Sequence, residues 1–296
     1  MLIKNINASI CGSDIAVYKH GTGTGHKISI GEKFGHEMVS EVAEVVLEVK
    51  DFKVGQRVYP YPVFAANSPQ KAGTLGGFTE CLLIKNAKLN HNLYLVPEEF
   101  SNEVAALTEP FTVVTRAVKR AHPKAGENAY VLGAGTIGLA AAFAIRHFGC
   151  KVMVADRSDY RLDLAKSFGF GVVNTLKDNV KQTQLDCFGK GYSLKENQPN
   201  INITIDAIGI TDFLQDFLDS RFVMVGVDNN PKDINLLGMI FASQSLIGSG
   251  GYRPSDVATV FYILKENQKD ISKMVTKIYP WEELVSTIKN AADPEK

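Results

Sequence analysis

The sequence predicts an α/β fold in which a doubly wound parallel sheet is joined to a second, mostly β domain. A strand-like run at residues 128–132 leads directly into Gly133, Gly135 and Gly138, in the pattern Gly-x-Gly-x-x-Gly. Strand-like and helical stretches then alternate, as a parallel sheet requires. By contrast, the first hundred or so residues contain short β-like runs separated by glycine, proline and asparagine. We therefore expect a domain boundary near Pro110.

The glycine-rich turn has the surroundings of a dinucleotide-binding site. Gly133 permits the tight turn, Gly135 lets the backbone approach a pyrophosphate, and Gly138 lets the next helix pack closely on its strand. The phosphates would lie at the helix N terminus, where free N–H groups and the helix dipole favour an anion. Apolar spacing over residues 139–148 predicts a helix buried along one face, and residues 151–156 predict the following strand.

Asp156 ends that strand, about twenty residues after the first glycine, where this pattern places an acidic residue. Its carboxylate would accept hydrogen bonds from the adenosine ribose and repel a 2′-phosphate, which favours NAD over NADP. Arg157 follows directly, and an arginine here can hold the extra phosphate. NADP therefore stays open as the less favoured cofactor.

Composition narrows the class of partner. The 296-residue chain is long enough for two domains, and its 32 basic residues balance its 32 acidic residues, so no overall field favours nucleic acid or an anionic membrane. We expect a small-molecule partner. No apolar stretch reaches the roughly eighteen residues of a membrane span, and the start lacks a signal-peptide pattern, which predicts a cytoplasmic protein. The four cysteines include no Cys-x-x-Cys pair, which argues against a disulfide scaffold and a cysteine-rich zinc module.

The predicted domains are residues 1–110 with 250–296, and residues 111–249. The first segment carries β-like runs, and helical periodicity late in the chain predicts a return to this domain. The polar residues 181–200 have no clear pattern, and no structure or role is predicted for them. The runs behind these predictions are 41–47, 56–59 and 80–84 for strands of the first domain, 171–174, 201–206 and 221–227 for strands of the second, and 256–265 and 281–292 for the late helices.

Cys11, His36 and Glu37 form a second group of interest. Taken singly, each is more typical of an ordinary role: a small buried thiol, a loop histidine and a solvated charge. With the dinucleotide pattern downstream, however, four segments together resemble the zinc-dependent medium-chain dehydrogenase/reductase family, nearest its sorbitol and polyol dehydrogenase branch. The resemblance covers nearly the whole chain and implies a GroES-like catalytic domain beside a Rossmann domain. The segments are Cys11-Gly12-Ser13-Asp14, Gly35-His36-Glu37, Gly76-Gly77-Phe78-Thr79-Glu80 and Thr108-Glu109-Pro110.

The resemblance implies a zinc site. Cys11, His36 and Glu37 match zinc ligands, Glu37 coordinating directly or through water, and Glu109 matches a glutamate that replaces a second cysteine in the polyol branch. Such a set with one open position suits a catalytic zinc, because the substrate oxygen must take the remaining place. Asp14 matches the carboxylate that orients the ligand histidine.

Further positions match the family's substrate and cofactor contacts. Ser13 matches the hydroxyl that relays the alcohol's proton. Tyr18 and Tyr252 match substrate-pocket positions, although a packing tyrosine is at least as common at both. The matched cofactor positions are Ile137, Asp156, Arg161, Val225, Gly226 and Val227, together with the three glycines of the turn.

The sequence also departs from this family. Four closely spaced cysteines for a structural zinc are missing after Gly55-Gln56-Arg57-Val58, so we predict one zinc per chain and no structural zinc. Ala16 stands where many members have a histidine that passes the proton to solvent, so the proton would leave through water or the cofactor ribose. The chain starts near the family's third or fourth strand and stops before its closing strand, which indicates trimmed ends or a sequence of the ordered parts only. Were the trimming real in the cell, exposed sheet edges would make activity doubtful.

The leading hypothesis is hydride transfer between a secondary alcohol and NAD. Sorbitol-like polyols and sugar acids are the first candidate substrates, followed by simple secondary alcohols. Two alternatives stay open: a zinc-free quinone or enoyl reductase that uses NADPH, and a non-catalytic nucleotide-binding protein. The family implies a homodimer or homotetramer, for which the apolar run at 235–249 is a candidate surface. Ordinary core packing of that run is equally compatible with the sequence.

Overall fold

The computed structural model describes residues 1–21, 28–192, 197–209, 220–227 and 233–293. The chain forms two compact units, Met1–Glu109 with Leu264–Lys296, and Pro110–Ile263. The first unit therefore resumes at Leu264, whereas the sequence pattern predicts its return at residue 250. Residues 250–263 belong to the second unit, where the Lys119 ammonium donates to Asp256 Oδ1 at 3.0 Å and to Thr259 Oγ1 at 2.9 Å.

The first unit contains a five-stranded antiparallel sheet in the order β4-β1-β2-β3-β5. Its inner face buries an apolar cluster that includes Ile3, Met38, Val58 and Leu82. Strand β1 was not among the predicted strands, because lysine and asparagine side chains interrupt its apolar pattern. The strands are β1 Leu2–Ser9, β2 Glu37–Glu44, β3 Arg57–Pro60, β4 Cys81–Leu83 and β5 Leu93–Leu95.

Helices of this unit lie between and after those strands. The helices here are α1 Gly12–His20, α2 Pro62–Ala65 and α3 Asn102–Ala106, with a 3-10 helix at Pro69–Thr74. Helix α4, Thr108–Arg120, leads into the second unit. The late helical pattern predicted at 281–292 is a 3-10 turn at Trp281–Glu283 followed by helix α10, Leu284–Ala291. Among the described residues, no helix is long and apolar enough to cross a bilayer.

The second unit contains a six-stranded parallel sheet in the order β11-β10-β9-β6-β7-β8. Numbered from β6, this is the order 6-5-4-1-2-3 of a doubly wound dinucleotide fold. The predicted fold class, a doubly wound parallel sheet beside a mostly β domain, is confirmed. The strands are β6 Asn128–Leu132, β7 Lys151–Asp156, β8 Gly171–Asn174, β9 Ile203–Asp206, β10 Arg221–Met224 and β11 Ser245–Gly248.

The helix after the glycine turn, α5 Thr136–His147, is more enclosed than expected. All its residues from Gly138 to Ile145 are buried, whereas the sequence predicted burial along one face. Phe143 in this helix packs against Phe111, Phe168 and Phe170, at ring centroid distances of 6.4, 5.3 and 5.2 Å. The many alanines of α5 allow this close packing on both sides.

The described residues of this unit also form helices α6 Asp159–Ser167, α7 Val180–Phe188, α8 Leu236–Phe241 and α9 Val257–Ile271, which ends in the first unit. Helix α7 falls in the segment for which no structure was predicted. Its sequence is mostly polar, and only Gln184 and Phe188 are buried along it, so its apolar periodicity is weak. The side chain of Asn179 caps its start by accepting a hydrogen bond from the Gln182 amide at 3.2 Å.

Candidate active site

Cys11, His36 and Glu37 come together at one end of the antiparallel sheet. Strands β1 and β2 pair so that Ser9 lies opposite Glu37, which brings the residues after β1 beside the start of β2. One ligand atom from each of the three side chains, a sulfur, an imidazole nitrogen and a carboxylate oxygen, lies within 4.8 Å of the others. His36 and Glu37 are buried and Cys11 is half-buried. The described residues contain no other group of three such side chains.

The start of α1 fixes the position of Cys11. The backbone N–H of Cys11 donates to Asp14 Oδ2 at 2.9 Å, and the N–H of Asp14 donates back to the Cys11 carbonyl at 3.0 Å. Asp14 is fully buried, and its Oδ1 lies 3.9 Å from Nδ1 of His36. This distance is an ion-pair distance, longer than a hydrogen bond. Asp14 therefore hydrogen-bonds the backbone of the cysteine and faces the histidine of the cluster. Its orienting role stays a prediction.

Main-chain contacts from the Gly76–Gly77 turn hold the segment that carries His36. The N–H groups of Gly76 and Gly77 donate to the Gly35 carbonyl at 2.9 and 2.8 Å. Gly35 has a φ of 81°, and a Cβ built at Gly77 would lie 3.1 Å from the His36 nitrogen. A residue with a side chain at Gly35 or Gly77 would disturb this close approach. The turn thus fixes the position of the backbone at His36.

Asn5 holds that turn in place and was missed in the sequence. Its side-chain nitrogen donates to the carbonyls of Gly76, Gly77 and Thr79 at 2.9, 3.2 and 2.7 Å. Its side-chain oxygen accepts a hydrogen bond from the Ser40 hydroxyl at 2.7 Å. The only sequence signal was a polar residue in the middle of a strand. Asn5 links β1 and β2 to the turn that supports His36.

Replacing Asn5 by alanine should lower the affinity for zinc about 10- to 100-fold, the usual cost of losing a group that supports a metal ligand. The substitution removes the Asn5 hydrogen bonds to three carbonyls of the turn, of which that of Gly76 still accepts from Thr79. The measurement is zinc affinity by competition with a chelator, and the matched control is Asn7→Ala, an asparagine of the same strand. An equal loss of zinc affinity in both variants would show that the strand as a whole, and not the Asn5 contacts, matters.

The electrostatics of the cluster favour a bound cation. Burial, with the nearby charge of Glu109, raises the pKa of the Cys11 thiol. Burial, with the charges of Cys11 and Glu109, raises the pKa of Glu37 well above its usual range. Burial alone would lower the pKa of His36, but the charges of Glu109, Glu37 and Asp14 outweigh it and raise that pKa. A divalent cation among these donors would reverse the first two effects by stabilising the thiolate and the carboxylate.

Glu109 and Ser13 lie close to the three-residue cluster. Glu109, in the first turn of α4, is buried and contributes to the raised pKa values of Cys11, His36 and Glu37. It is not part of the group whose ligand atoms lie within 4.8 Å of one another. The Ser13 hydroxyl hydrogen-bonds the Cys11 sulfur, which opposes the rise in the thiol pKa. Thiolate, imidazole and carboxylate in one largely buried place form a donor set that fits catalytic zinc.

The three glycines of the turn in the second unit differ in how much space surrounds them. Gly133 has a φ of 99°, and a Cβ at Gly138 would lie 1.8 Å from the Gly133 carbonyl oxygen. A Cβ at Gly135 would meet only Arg161 Nη1, at 4.0 Å. Gly138 is therefore needed for helix packing, whereas the space above Gly135 is open. Ile137, in the first turn of α5, is half-buried.

Asp156 is fixed beside this turn. Its Oδ2 accepts a hydrogen bond from the backbone N–H of Ala134 at 2.8 Å. Its Oδ1 accepts hydrogen bonds from the backbone N–H groups of Arg157 and Ser158 at 2.7 and 2.9 Å. Arg161 Nη1 lies 4.0 Å from Asp156 Oδ2. The structure thus brings Asp156 and Arg161 to the glycine turn, and their contacts with a cofactor stay predictions.

The remaining predicted residues lie at other places in the two units. Val225, Gly226 and Val227 follow β10 at the carboxyl edge of the parallel sheet, and Val227 is 78% exposed. Tyr18 lies on α1 and is 49% exposed, whereas Tyr252 of the second unit is half-buried. The substrate roles of Tyr18 and Tyr252 stay predictions.

Comparisons with known proteins agree with this arrangement. A family model for the alcohol dehydrogenase GroES-like domain matches residues 1–97, and a model for zinc-binding dehydrogenases matches residues 136–266. Together the two regions cover most of the chain. The chain therefore belongs to the zinc-dependent medium-chain dehydrogenase/reductase superfamily. It is an oxidoreductase, and this family implies zinc and a nicotinamide dinucleotide as its cofactors.

Sequence identity to the individual relatives is low. The chain is 26% identical over 302 residues to a 2-dehydro-3-deoxy-L-galactonate 5-dehydrogenase from Pseudoalteromonas atlantica, covering 95% of this chain and 84% of that protein. It is 26% identical to an L-threonine 3-dehydrogenase from Shewanella loihica, covering 94% and 85%. The solved structure of L-idonate 5-dehydrogenase from Escherichia coli superposes with a TM-score of 0.80 at 21% identity, covering 99% and 87%. That likeness shows the fold alone.

Proposed function

We propose that this protein oxidises a secondary hydroxyl of a polyol, sugar alcohol or sugar acid to a ketone, with transfer of a hydride to NAD. The observation that carries the proposal is the Cys11–His36–Glu37 cluster, whose ligand atoms lie within 4.8 Å of one another in a chain of this family. A relative named for a sugar-acid substrate supports the choice of substrate class. The first unit takes the catalytic role and the second binds the dinucleotide.

Cys11, His36, Glu37 and Glu109 would hold the zinc. When bound, zinc supplies Lewis acidity that lowers the pKa of the substrate alcohol. Ser13, next to the cysteine, would relay the hydroxyl proton of the substrate by accepting it while its own proton passes to water or to the cofactor ribose. Asp14 holds the start of α1 and faces His36 at 3.9 Å, so it fixes the positions of the cysteine and the histidine relative to each other. Tyr18 and Tyr252 contact the substrate in this proposal.

The cofactor is NAD, and NADP binds less well. Three main-chain N–H groups hold the Asp156 carboxylate at the glycine turn. A fixed negative charge there disfavours the 2′-phosphate of NADP. Arg157 and Arg161 reduce this discrimination, since both are cations close to Asp156. Arg161 and the three glycines contact the cofactor, together with Ile137, Val225, Gly226 and Val227.

The chain binds one zinc and forms a homodimer or homotetramer in this proposal. Residues 59–75, which follow the Gly-x-Arg-Val strand, contain no cysteine for a structural zinc. For assembly, α8 and the outermost strand β11 offer an apolar surface. Its side chains Leu236, Leu237, Ile240 and Phe241 are 62% to 72% exposed, which disfavours the alternative that this run is ordinary core.

The test is zinc content by mass spectrometry together with NADH formation on a panel of polyols, sugar acids and simple secondary alcohols. We expect one zinc per chain, and turnover on the first two classes that is faster with NAD than with NADP. A zinc-free protein that reduces quinones or enoyl compounds with NADPH would establish the reductase alternative. NADH binding without zinc or turnover would establish a non-catalytic nucleotide-binding protein.

A further inference from the structure

We propose that Asp206 is a positioning residue for the dinucleotide cofactor. Asp206 fixes two loops at the carboxyl edge of the parallel sheet, the turn at 207–209 and the segment at 225–227. This inference rests on the proposed function, because it requires a nicotinamide dinucleotide at that edge. It adds a residue that belongs to neither the metal cluster nor the glycine turn.

The sheet topology places Asp206 where a ligand binds. The strand order changes direction between β6 and β9, and ligands of doubly wound sheets bind in the crevice outside the carboxyl ends of the strands at this switch point. Asp206 is the last residue of β9 and lies opposite Leu132, the last residue of β6. The glycine turn follows Leu132 directly. Asp206 therefore stands at the base of the expected crevice.

Two different oxygens of Asp206 hold the two loops. Its side-chain Oδ1 accepts hydrogen bonds from the N–H groups of Ile208 and Gly209 at 3.0 and 2.9 Å, which closes the turn after β9. Its main-chain carbonyl accepts from the N–H groups of Val225 and Gly226 at 3.0 and 2.9 Å. Removing the side chain would release the first loop while leaving the second hydrogen-bonded to the strand.

The turn held by the carboxylate packs against the other loops with little space to spare. A Cβ at Gly133 would lie 2.6 Å from the Ile208 side chain, and a Cβ at Gly226 would lie 2.1 Å from the Gly209 nitrogen. A shift of the 207–209 turn would therefore displace both the glycine turn and the segment after β10. The position of the Asp206 carboxylate therefore affects the positions of residues on both sides of the switch point.

Burial and exposure in this region indicate a ligand. Asp206 is fully buried, and within the described parts of the chain its Oδ2 has no hydrogen-bond partner, which is costly for a carboxylate oxygen. Ile208, by contrast, is 46% exposed and Val227 is 78% exposed. Large apolar side chains held at the surface by a buried acidic residue are typical of a surface that a ligand covers.

The experiment compares Asp206→Ala, Asp206→Asn and Asp178→Ala in the full chain, with the dissociation constant for NADH measured by fluorescence. Asp178 is the matched control, because its carboxylate also accepts a backbone hydrogen bond, from Asn174 at 2.7 Å, but at the end of β8 and away from the switch point. We expect Asp206→Ala to raise the dissociation constant about tenfold or more, since small misplacements of positioning groups have effects of this size. Asp206→Asn keeps an acceptor for the turn and should restore binding to within about threefold of the native protein.

Zinc content separates this inference from the proposed function. It should be equal in all variants, since the metal cluster belongs to the other unit. NADH binding to the native protein with unchanged binding to Asp206→Ala would overturn the role of Asp206, whereas a native protein that does not bind NADH would overturn the proposed function itself. If Asp206→Ala does not fold, amide exchange in the native protein decides: NADH should slow exchange at Ile208 and Gly209, and unchanged exchange there would refute the proposal.

Discussion

Replacing Cys11 by serine is expected to remove the zinc and to reduce turnover at least about a hundredfold, more than the usual cost of losing a supporting group. Serine has nearly the same shape, but its hydroxyl does not ionise near neutral pH and so does not replace the thiolate as a ligand. The remaining side chains, His36 and Glu37, supply too few ligands for tight binding. Zinc content by mass spectrometry and NADH formation are the two measurements.

Cys81→Ser is the control for this substitution. Cys81 is a free, exposed cysteine on β4, so its loss should leave zinc content and turnover unchanged. NADH binding by the Cys11 variant should also be retained, because the glycine turn belongs to the second unit. A Cys11→Ser protein that turns over substrate without metal would contradict the proposed function.

The sequence identified this cluster although its members lie 25 positions apart. The Gly-x-Gly-x-x-Gly turn was recognisable because its strand, helix and acidic residue are consecutive in the chain. The metal cluster depends on the pairing of β1 with β2, and β1 has too many polar residues to be recognised from its own pattern. Only the combined motifs of the family connected Cys11 with His36. Periodicity alone would have left both as ordinary residues.

The residues that support the site had no comparable signal. Asn5 binds carbonyls 71 to 74 positions away in the chain, and no local pattern marks a side chain that hydrogen-bonds so distant a backbone. Asp206 ends a buried strand, and only the strand order shows that it stands at the switch point. The sequence predicts the return of the chain to the first unit, but at residue 250 instead of Leu264. Helix α9 continues from one unit to the other, so its pattern contains no break at the boundary.

Alanine substitutions at two glycines of the same turn should have different effects. Gly138→Ala should destabilise the fold, whereas Gly135→Ala should weaken NADH binding. In Gly138→Ala, the new Cβ would meet the Gly133 carbonyl oxygen at 1.8 Å, a contact with backbone that cannot be relieved by a side-chain rotation. Helix α5 would have to move away from β6, although its residues 138–145 are enclosed on all sides. We expect a loss of about 3 kcal/mol or more in the free energy of unfolding, at the upper end for overpacked cores. Urea unfolding measures it.

Gly135→Ala should leave the fold intact and weaken NADH binding about a hundredfold or more, the size of effect expected when a bound group is displaced by about an ångström. The new Cβ would meet no protein atom closer than 4.0 Å, so unfolding should change by less than about 0.5 kcal/mol. It would, however, occupy the space through which the pyrophosphate approaches the backbone. Gly250→Ala is the control for both, because a Cβ there meets nothing within 4 Å. Normal NADH binding by Gly135→Ala would place the pyrophosphate elsewhere, whereas native stability of Gly138→Ala would mean that α5 can shift on its strand.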